Sequence, residues 1–271
     1  MAELPVAAAF DRFADDYDAG FAHSIPGRWL RHAVWHQVGA HVRPGMRVLD
    51  LGCGTGEDAL WLAHAGARVT AADGSPAMLR VTVDKAARAG LADRIVPRQV
   101  DLNAPGDLFL ADGGGPYDVV LSNFGALNCA LDLAPLARAL GRAVAPGGVL
   151  ALVVMGRFCA WETAWHGARL HRTAVRRWLG RATADIGGTT IPIRYWTPGD
   201  VARAFAPAFD AMSVHPVGLF LPPSDLFTGL VRNPRRLTRL MRWERRVGAS
   251  TALAGLADHH LTLLRHVQGK R

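Results

Sequence analysis

The stretch VLDLGCGTGEDAL, residues 48–60, decides the fold, because a short apolar segment runs here into closely spaced glycines. Gly52, Gly54 and Gly56 stand at every second position. A glycine loop directly after a buried strand lets the backbone approach a nucleotide-like ligand closely. The stretch therefore predicts a ligand-binding loop, and the ligand is a dinucleotide, a triphosphate or a molecule without phosphates.

Two phosphate-binding patterns fail at this loop. A triphosphate loop needs Lys and then Ser or Thr after its last glycine, whereas Gly56 is followed by Glu57. The dinucleotide pattern G-x-G-x-x-G would place a glycine where Glu57 stands. The carboxylates of Asp50 and Glu57 would repel a pyrophosphate, but they suit a cation. We therefore expect a nucleoside-like ligand that carries positive charge and no phosphate.

Strands and helices alternate along the chain around the loop. Short apolar segments predict five buried strands, at 47–51, 68–73, 95–101, 117–123 and 146–156. Helical periodicity predicts helices at 57–66, 75–90 and 133–144. Ser75 is suited to cap the second of these helices, and Pro76 to its first position. The alternation predicts an α/β fold, with a mostly parallel sheet and helices on both of its faces.

The pattern changes after residue 156. Aromatic and apolar residues at helical spacing predict one helix over 161–178, and 189–196 is extended. Further elements are expected as a capped helix at 197–207 and as two more strands at 209–218 and 259–267. The expected regions are N-terminal lid helices in 1–45, a ligand-binding core in 46–156, and remaining strands with an inserted helical cap in 157–271. The cap is expected at about 157–195 and 219–257.

Composition and cysteine use predict the compartment. A chain of 271 residues, half of them hydrophobic, can bury a full core. The longest apolar run, 149–155, is too short to cross a bilayer, and the N-terminus lacks the cationic start of a signal peptide. Cys53, Cys129 and Cys159 are widely spaced, which favours a reducing compartment over disulfides or zinc. We expect a cytoplasmic protein with no membrane partner and no metal.

The positive charge is unevenly distributed. The net charge is +8, and lysine occurs only at Lys85 and Lys270, so arginine supplies nearly all of it. Arginines crowd into 169–181 and 232–246. A solvated basic surface is the plainer interpretation, although such patches attract anionic partners. We do not expect a nucleic-acid partner, and an acidic carrier protein remains an alternative.

The motif D-x-G-x-G-x-G at 50–56 resembles the class I S-adenosylmethionine-dependent methyltransferases, whose cofactor carries a sulfonium and an ammonium. The run F-D-R-F-A-D-D-Y-D at 10–18 resembles the lid helix of the small-molecule branch of this family. Other matches follow in order: D-G-S-P-A-M-L at 73–79, Asp101-Leu102, Asn123-Phe124, and P-G-G at 146–148. The resemblance covers 10–156 and fades in the cap. It implies a Rossmann-like sheet of seven strands.

The resemblance also implies a cofactor and a set of residues that hold it. S-adenosylmethionine is the implied cofactor, and S-adenosylhomocysteine is its product. Asp73 would take both ribose hydroxyls, and Asp101 would face the adenine amino group, unless it is only an acidic residue of a surface loop. Tyr17 either covers the cofactor or simply packs. The expected cofactor-binding residues are Tyr17, Asp50, Gly52, Cys53, Gly54, Gly56, Asp73, Gly74, Met78, Asp101, Leu102, Asn123 and Phe124.

Methyl transfer from a sulfonium is an in-line displacement, so the protein chiefly orients the acceptor. A general base is needed only where the acceptor must lose a proton. His171 lies on the apolar stripe of the predicted helix 161–178 and is the first candidate, followed by His166 and Tyr195, with His36 weaker. A histidine that only packs and a mechanism without a base remain alternatives.

Two features narrow the acceptor. Methyltransferases that act on amino groups of nucleic-acid bases carry Asn/Asp-Pro-Pro-aromatic after the fourth strand, whereas this chain has S-N-F-G at 122–125. The cap is rich in Trp, Phe, Leu and Pro, which suits a small apolar or aromatic molecule, as in specialised metabolism. The alternatives are an acidic macromolecule, either a carrier-bound substrate or RNA, and a non-catalytic cofactor-binding regulator.

Overall fold

A computed structural model describes residues 5–15, 17–18, 24–106, 115–206, 208–221, 233–248 and 250–267. Its strands are β1 (Arg47–Leu51), β2 (Arg68–Asp73), β3 (Ile95–Gln99), β4 (Tyr117–Ser122), β5 (Val144–Met155), β6 (Arg181–Ile186), β7 (Thr189–Arg194), β8 (Phe209–Val217) and β9 (His259–His266). Its α-helices are α1 (Pro5–Asp11), α2 (Ile25–Val38), α3 (Glu57–His64), α4 (Pro76–Arg88), α5 (Ala134–Ala143), α6 (Ala160–Gly167), α7 (Pro198–Phe205) and α8 (Pro234–Val247).

Seven strands form the central sheet, in the order β3-β2-β1-β4-β5-β9-β8. The first five pair in parallel, and β9 runs antiparallel to both β5 and β8. The predicted seven-stranded, mostly parallel sheet is therefore confirmed. The order reverses between β1 and β4, which opens a crevice at the carboxyl ends of these strands.

Helices cover both faces of the sheet, which explains why the inner strands are apolar on both sides. Leu30 of α2, Leu62 of α3 and Met241 of α8 belong to the core on one face. Leu140 of α5 and Phe205 of α7 belong to the core on the other face. This three-layer arrangement confirms the predicted α/β fold.

The start of α4 is set by the residues that the sequence indicated. The Ser75 hydroxyl accepts a hydrogen bond from the Met78 backbone amide at 3.1 Å, and Pro76 occupies the first helical position. The hydroxyl satisfies one of the amides that a helix leaves unpaired at its N-terminus. This cap places the end of β2 directly before the helix.

The predicted helix 161–178 is wrong. The α-helix α6 ends at Gly167, Leu170 adopts a left-handed φ of 53°, and a 3₁₀ helix spans Arg172–Leu179. Glu162 accepts hydrogen bonds from Arg176 and Arg177 at 2.6 and 2.7 Å. These buried contacts fold the chain back on itself, so Arg177 and not the aromatic stripe turns inward.

The expected helical cap also contains strands. Within 157–195, β6 and β7 pair as an antiparallel hairpin, so this part is only partly helical. Within 219–257, α8 is held by Glu244, whose carboxylate accepts hydrogen bonds from the backbone amides of residues 218–221. Residues 222–232 and 249 of the expected cap lie outside the described residues.

Candidate active site

The carboxyl ends of β1 to β4 meet at one edge of the sheet, where a cavity of about 580 Å³ opens. Gly52 follows β1, Asp73 ends β2, Asp101 comes shortly after β3, and Asn123 follows β4; all four line the cavity. Volumes of this size are typical of small-molecule sites. The parallel sheet therefore gathers polar groups from distant parts of the chain around one crevice.

Two positions of the glycine loop have no room for a side chain. Gly52 has a φ of 72°, and a Cβ there would lie 2.1 Å from the Cβ of Ala126. Gly56 has a φ of 83°, and a Cβ there would lie 2.6 Å from Thr82 Cγ2. Both the left-handed backbone and the close neighbours exclude larger residues. The spacing noted in the sequence thus reflects close packing of the loop under the cavity.

Asp73 joins the loop to the next helix. One carboxylate oxygen accepts a hydrogen bond from the Gly54 backbone amide at 2.9 Å, and the other accepts one from the Ser75 amide at 2.9 Å. Burial raises the pKa of Asp73, while these backbone hydrogen bonds act in the opposite direction. Each oxygen keeps a second lone pair that can accept a hydroxyl hydrogen from a ligand in the cavity.

A buried ionic cluster that the sequence did not reveal forms the other polar wall. Arg31 of α2 pairs with Asp58 of α3, which also accepts hydrogen bonds from Trp35 Nε1 at 2.6 Å and from Asn123 Nδ2 at 3.2 Å. Arg31, Asp58 and Asn123 line the cavity. Phe124 has a left-handed φ of 45°, and its ring centroid lies 5.3 Å from the Arg31 guanidinium carbon.

Two polar atoms of this cluster lack partners among the described residues. Arg31 Nε and Asn123 Oδ1 are buried and have no hydrogen-bond partner there. A buried unpaired donor and a buried unpaired acceptor are costly, and both residues line the cavity. The arrangement suits a ligand that presents a carboxylate to Arg31 and an ammonium to Asn123.

The N-terminal segment lies over the polar end. The Asp11 carboxylate accepts hydrogen bonds from Ser75 Oγ at 2.5 Å and from the Ala77 amide at 3.1 Å. Lys85 of α4 pairs with Asp18 at 2.5 Å. Tyr17 lies between these anchors and lines the cavity, and burial raises the pKa of its hydroxyl. The segment is therefore tied to α4 as a roof over the glycine loop.

The opposite end of the cavity is apolar. It is formed by α1 and by the inner face of the β6–β7 hairpin. Most of its lining side chains are hydrocarbon: Val6, Ala7, Phe10, Leu131, Ala184, Ile186, Ile191 and Ile193. Alternation along β6 places Ala184 and Ile186 toward the cavity and Asp185 between them toward solvent. The cavity thus joins a polar end to an apolar end.

Most predicted cofactor residues lie in the cavity wall. They are Tyr17, Gly52, Cys53, Gly54, Asp73, Gly74, Met78, Asp101, Leu102, Asn123 and Phe124. Asp50 and Gly56 lie outside the lining. Asp50 is buried beneath the loop, and burial together with the neighbouring Asp58 raises its pKa well above the ordinary range. Its position suits support of the loop and not contact with a ligand.

The residues predicted for catalysis lie elsewhere. His171 is exposed and packs near His166, with 5.7 Å between ring centroids, and neither lines the cavity. The helical stripe that suggested His171 does not exist, because α6 ends at Gly167. Tyr195 directly follows β7 and is buried with Ile191 and Ile193, with its ring centroid 5.2 Å from the Arg177 guanidinium carbon, and burial raises its pKa. None of the three lines the cavity, and their catalytic roles stay predictions.

Comparison with known proteins identifies the family. Residues 48–148 match a family described as "Methyltransferase domain". A malonyl-[acyl-carrier protein] O-methyltransferase of Pseudescherichia vulneris is 33% identical over 212 residues, which cover 76% of this chain and 76% of that protein. The chain belongs to the S-adenosylmethionine-dependent methyltransferases.

Three further relatives align with a smaller share of this chain. A ubiquinone biosynthesis O-methyltransferase of Methylocella silvestris is 33% identical over 180 residues, 66% of this chain and 63% of that protein. For similar enzymes of Caulobacter and Mesorhizobium japonicum the chain spans about half of the relative, 52% and 55%. The DhpI-SAH complex has a TM-score of 0.60 at 18% identity, covering 99% of this chain and all of that one, which shows a shared fold.

Proposed function

We propose that this methyltransferase transfers the methyl group of S-adenosylmethionine to a small apolar or aromatic metabolite in the cytoplasm. The observation that carries the proposal is the cavity with a polar and an apolar end. The polar end carries the charged groups for the cofactor, and the apolar end remains for an acceptor. Free cysteines at 53, 129 and 159 are consistent with a reducing compartment.

The polar end fits the cofactor group by group. Bound S-adenosylmethionine supplies an activated methyl group on a sulfonium. Asp73 is placed to accept hydrogen bonds from ribose hydroxyls, as strand-end carboxylates do in related folds. Arg31 Nε and Asn123 Oδ1 are the unpaired donor and acceptor for the carboxylate and ammonium of the methionine moiety. Asp101 and Leu102 line the wall where the adenine would lie.

The apolar end supports a mechanism based on orientation. Among the described lining residues of that end, Cys129 is the titratable side chain, and burial raises its pKa to about 12, so it stays protonated at neutral pH. A fixed geometry can lower a barrier by about 7–11 kcal/mol without a base. We therefore expect an acceptor that is nucleophilic by itself, such as an amine, a thiolate or an acidic phenol.

Methyl-labelled S-adenosylmethionine, incubated with the protein and an extract of its source cells, tests the proposal. Products are separated by size after the reaction. Label in the low-mass fraction is expected and provides a product to identify. Label on protein or RNA would contradict a small-molecule acceptor. Binding of S-adenosylhomocysteine without transfer to any fraction would instead indicate a non-catalytic regulator.

A carrier-bound acceptor is a second candidate, because α8 presents an arginine face. Its exposed arginines are Arg235, Arg236, Arg239, Arg242, Arg245 and Arg246. The acidic residue of this helix, Glu244, is turned inward onto backbone amides, so the exposed face carries no carboxylate of its own. Such a face would attract an acidic carrier.

Salt dependence separates the two candidates. Turnover with a carrier-bound acceptor should fall several-fold between about 0.05 and 0.3 M salt, since exposed charges are screened. The variant Arg239→Gln/Arg242→Gln should reduce that dependence. Turnover of a free metabolite that does not change with salt would reject the carrier hypothesis.

A further inference from the structure

The surface segment 165–181, which runs from the last residues of α6 to the first residue of β6, carries unusually exposed apolar side chains. Leu170 is 94% exposed, Leu179 is 79% exposed and Trp178 is 48% exposed. Trp165 and Val175 of the same segment are also exposed. Single exposed apolar residues are common on protein surfaces, but several within one short segment favour a contact with another apolar body. These residues lie outside the cavity lining and have no role in the proposed reaction.

Buried ion pairs hold this segment in place. Arg177 donates hydrogen bonds to Glu162 at 2.7 Å and to Asp258 at 2.8 Å, and its side chain is buried. Leu170 has a left-handed φ of 53°, a backbone conformation that is strained for a leucine. The Arg177 ion pairs and the strained backbone at Leu170 indicate that a defined local structure holds the apolar side chains toward solvent.

The charge of the segment is entirely positive. No acidic residue occurs between Glu162 and Asp185, whereas five arginines lie in 165–181. The guanidinium of Arg169 stacks on the Trp165 ring at 3.6 Å from its centroid. Arg181 is exposed at the other end. Tryptophan and leucine tips among arginines match the boundary between lipid headgroups and acyl chains, where anionic lipids attract the arginines.

The segment leads directly into the cavity wall. The segment ends at Arg181, the first residue of β6, and Ala184 and Ile186 of that strand line the apolar end of the cavity. A partner bound to segment 165–181 would therefore contact the chain just before the β6–β7 hairpin. The exposed leucine and tryptophan side chains favour a partner with an apolar interior over a purely charged polymer.

We infer that segment 165–181 seats the protein on an anionic lipid bilayer. Leu170, Trp178 and Leu179 enter the acyl boundary, and the exposed Arg169, Arg176 and Arg181 meet the headgroup phosphates. No described helix is both long and apolar enough to span a bilayer, and the sequence predicted no membrane partner on that ground. An interfacial seat requires no spanning segment. The inference does not depend on the acceptor or on methyl transfer.

Vesicle co-sedimentation of the full chain tests it, without cofactor or acceptor. Binding to vesicles of phosphatidylcholine with phosphatidylglycerol is compared with binding to phosphatidylcholine alone. Wild type should bind the anionic vesicles. The variant Leu170→Ser/Leu179→Ser should bind them at least about ten-fold more weakly, since two leucine side chains no longer enter the lipid. The matched control Val83→Ser/Val96→Ser alters exposed valines of α4 and β3 and should bind like wild type.

Two outcomes would overturn the inference. In the first, the leucine variant binds anionic vesicles like wild type and the variant Arg239→Gln/Arg242→Gln does not bind them. That result would place the contact on the α8 arginine face. The other is absence of wild-type binding to anionic vesicles, including the case in which an acidic carrier protein or RNA binds instead. Unchanged affinity of the leucine variant for S-adenosylhomocysteine shows that it is folded and separates this test from that of the proposed function.

Discussion

Asp73 supports the loop and faces the cavity with the same carboxylate. Both carboxylate oxygens accept hydrogen bonds from backbone amides. Replacement of Asp73 therefore removes a ligand contact and also loosens the glycine loop. Asp73→Ala should weaken the binding of S-adenosylhomocysteine at least about 100-fold, since hydrogen bonds to charged groups contribute about 1.5–3 kcal/mol each. Calorimetric titration measures this, with the exposed Asp93→Ala as control. Unchanged affinity would show that the cofactor site is wrongly assigned.

Arg31 neutralises a carboxylate that is almost fully buried. Arg31→Met leaves Asp58 without its cation, and breaking a buried pair in this way costs about 3–5 kcal/mol. Urea unfolding should show this loss, whereas Arg28→Met, an exposed arginine of the same helix, should change the unfolding free energy by less than about 0.5 kcal/mol. Equal stability of the two variants would contradict the pairing.

His260 makes the stability of the fold depend on pH. Burial lowers its pKa to about 4, with Trp196 carbonyl and Thr262 hydroxyl as ring partners at 3.0 Å. Nearby His259 also disfavours its protonation, and Asp200 favours it. The unfolded chain binds a proton below about pH 6.5 and the folded one only near pH 4, so stability falls as the pH drops through this window.

Between pH 7.5 and pH 5, His260 should lower the free energy of unfolding by about 2 kcal/mol. Urea unfolding of wild type and His260→Gln at both pH values measures it. The variant should lose less stability on acidification by about that amount. An identical pH dependence in the two proteins would show that His260 is not buried in its neutral form.

At the scale of elements, the β6–β7 hairpin forms the wall against which an acceptor would pack. Ile186→Ala removes hydrocarbon from this wall, so kcat/KM for the acceptor should fall about 5- to 20-fold. The affinity for S-adenosylhomocysteine should stay within about two-fold, because the polar end is untouched. Thr190→Ala, exposed on β7, is the control. Equal losses of acceptor and cofactor binding would place the acceptor elsewhere.

The segment after α6 shows why element prediction failed at one place. The periodicity of 161–178 is real, but a helix there would keep Arg177 from reaching Asp258, 81 residues away. The ion pairs of Glu162 with Arg176 and Arg177 stabilise a different path. By contrast, α4 was predicted correctly because its cap and its proline act within one turn.

For the whole molecule, ligand binding should be visible as thermal stabilisation. S-adenosylhomocysteine at about 100 times its Kd adds about 2.7 kcal/mol to the native state, which corresponds to a Tm increase of about 5–10 °C. NAD and ATP at the same concentration should leave the Tm unchanged, because the loop lacks both phosphate-binding patterns. Differential scanning fluorimetry measures all three. A shift with NAD or ATP alone would contradict a phosphate-free ligand.

The order of strands and helices from β1 to β5 and the loop between β1 and α3 follow from the sequence by itself, because they depend on neighbouring residues: apolar runs, glycines, caps and strand-end acids. The same local reasoning placed Asp73, Asp101 and Asn123 at one edge, since parallel strands share their carboxyl ends. These signals lie within a few residues of one another, and the fold preserves them.

Only the tertiary structure decided which side chains meet across the cavity. Arg31 and Asp58 are 27 residues apart on separate helices, and the apolar end joins α1 to a hairpin about 180 residues later. No local pattern encodes such contacts, because they depend on how helices pack onto the sheet and on which ion pairs are buried together. The same packing turned His171 to the surface and left Leu170 and Leu179 exposed.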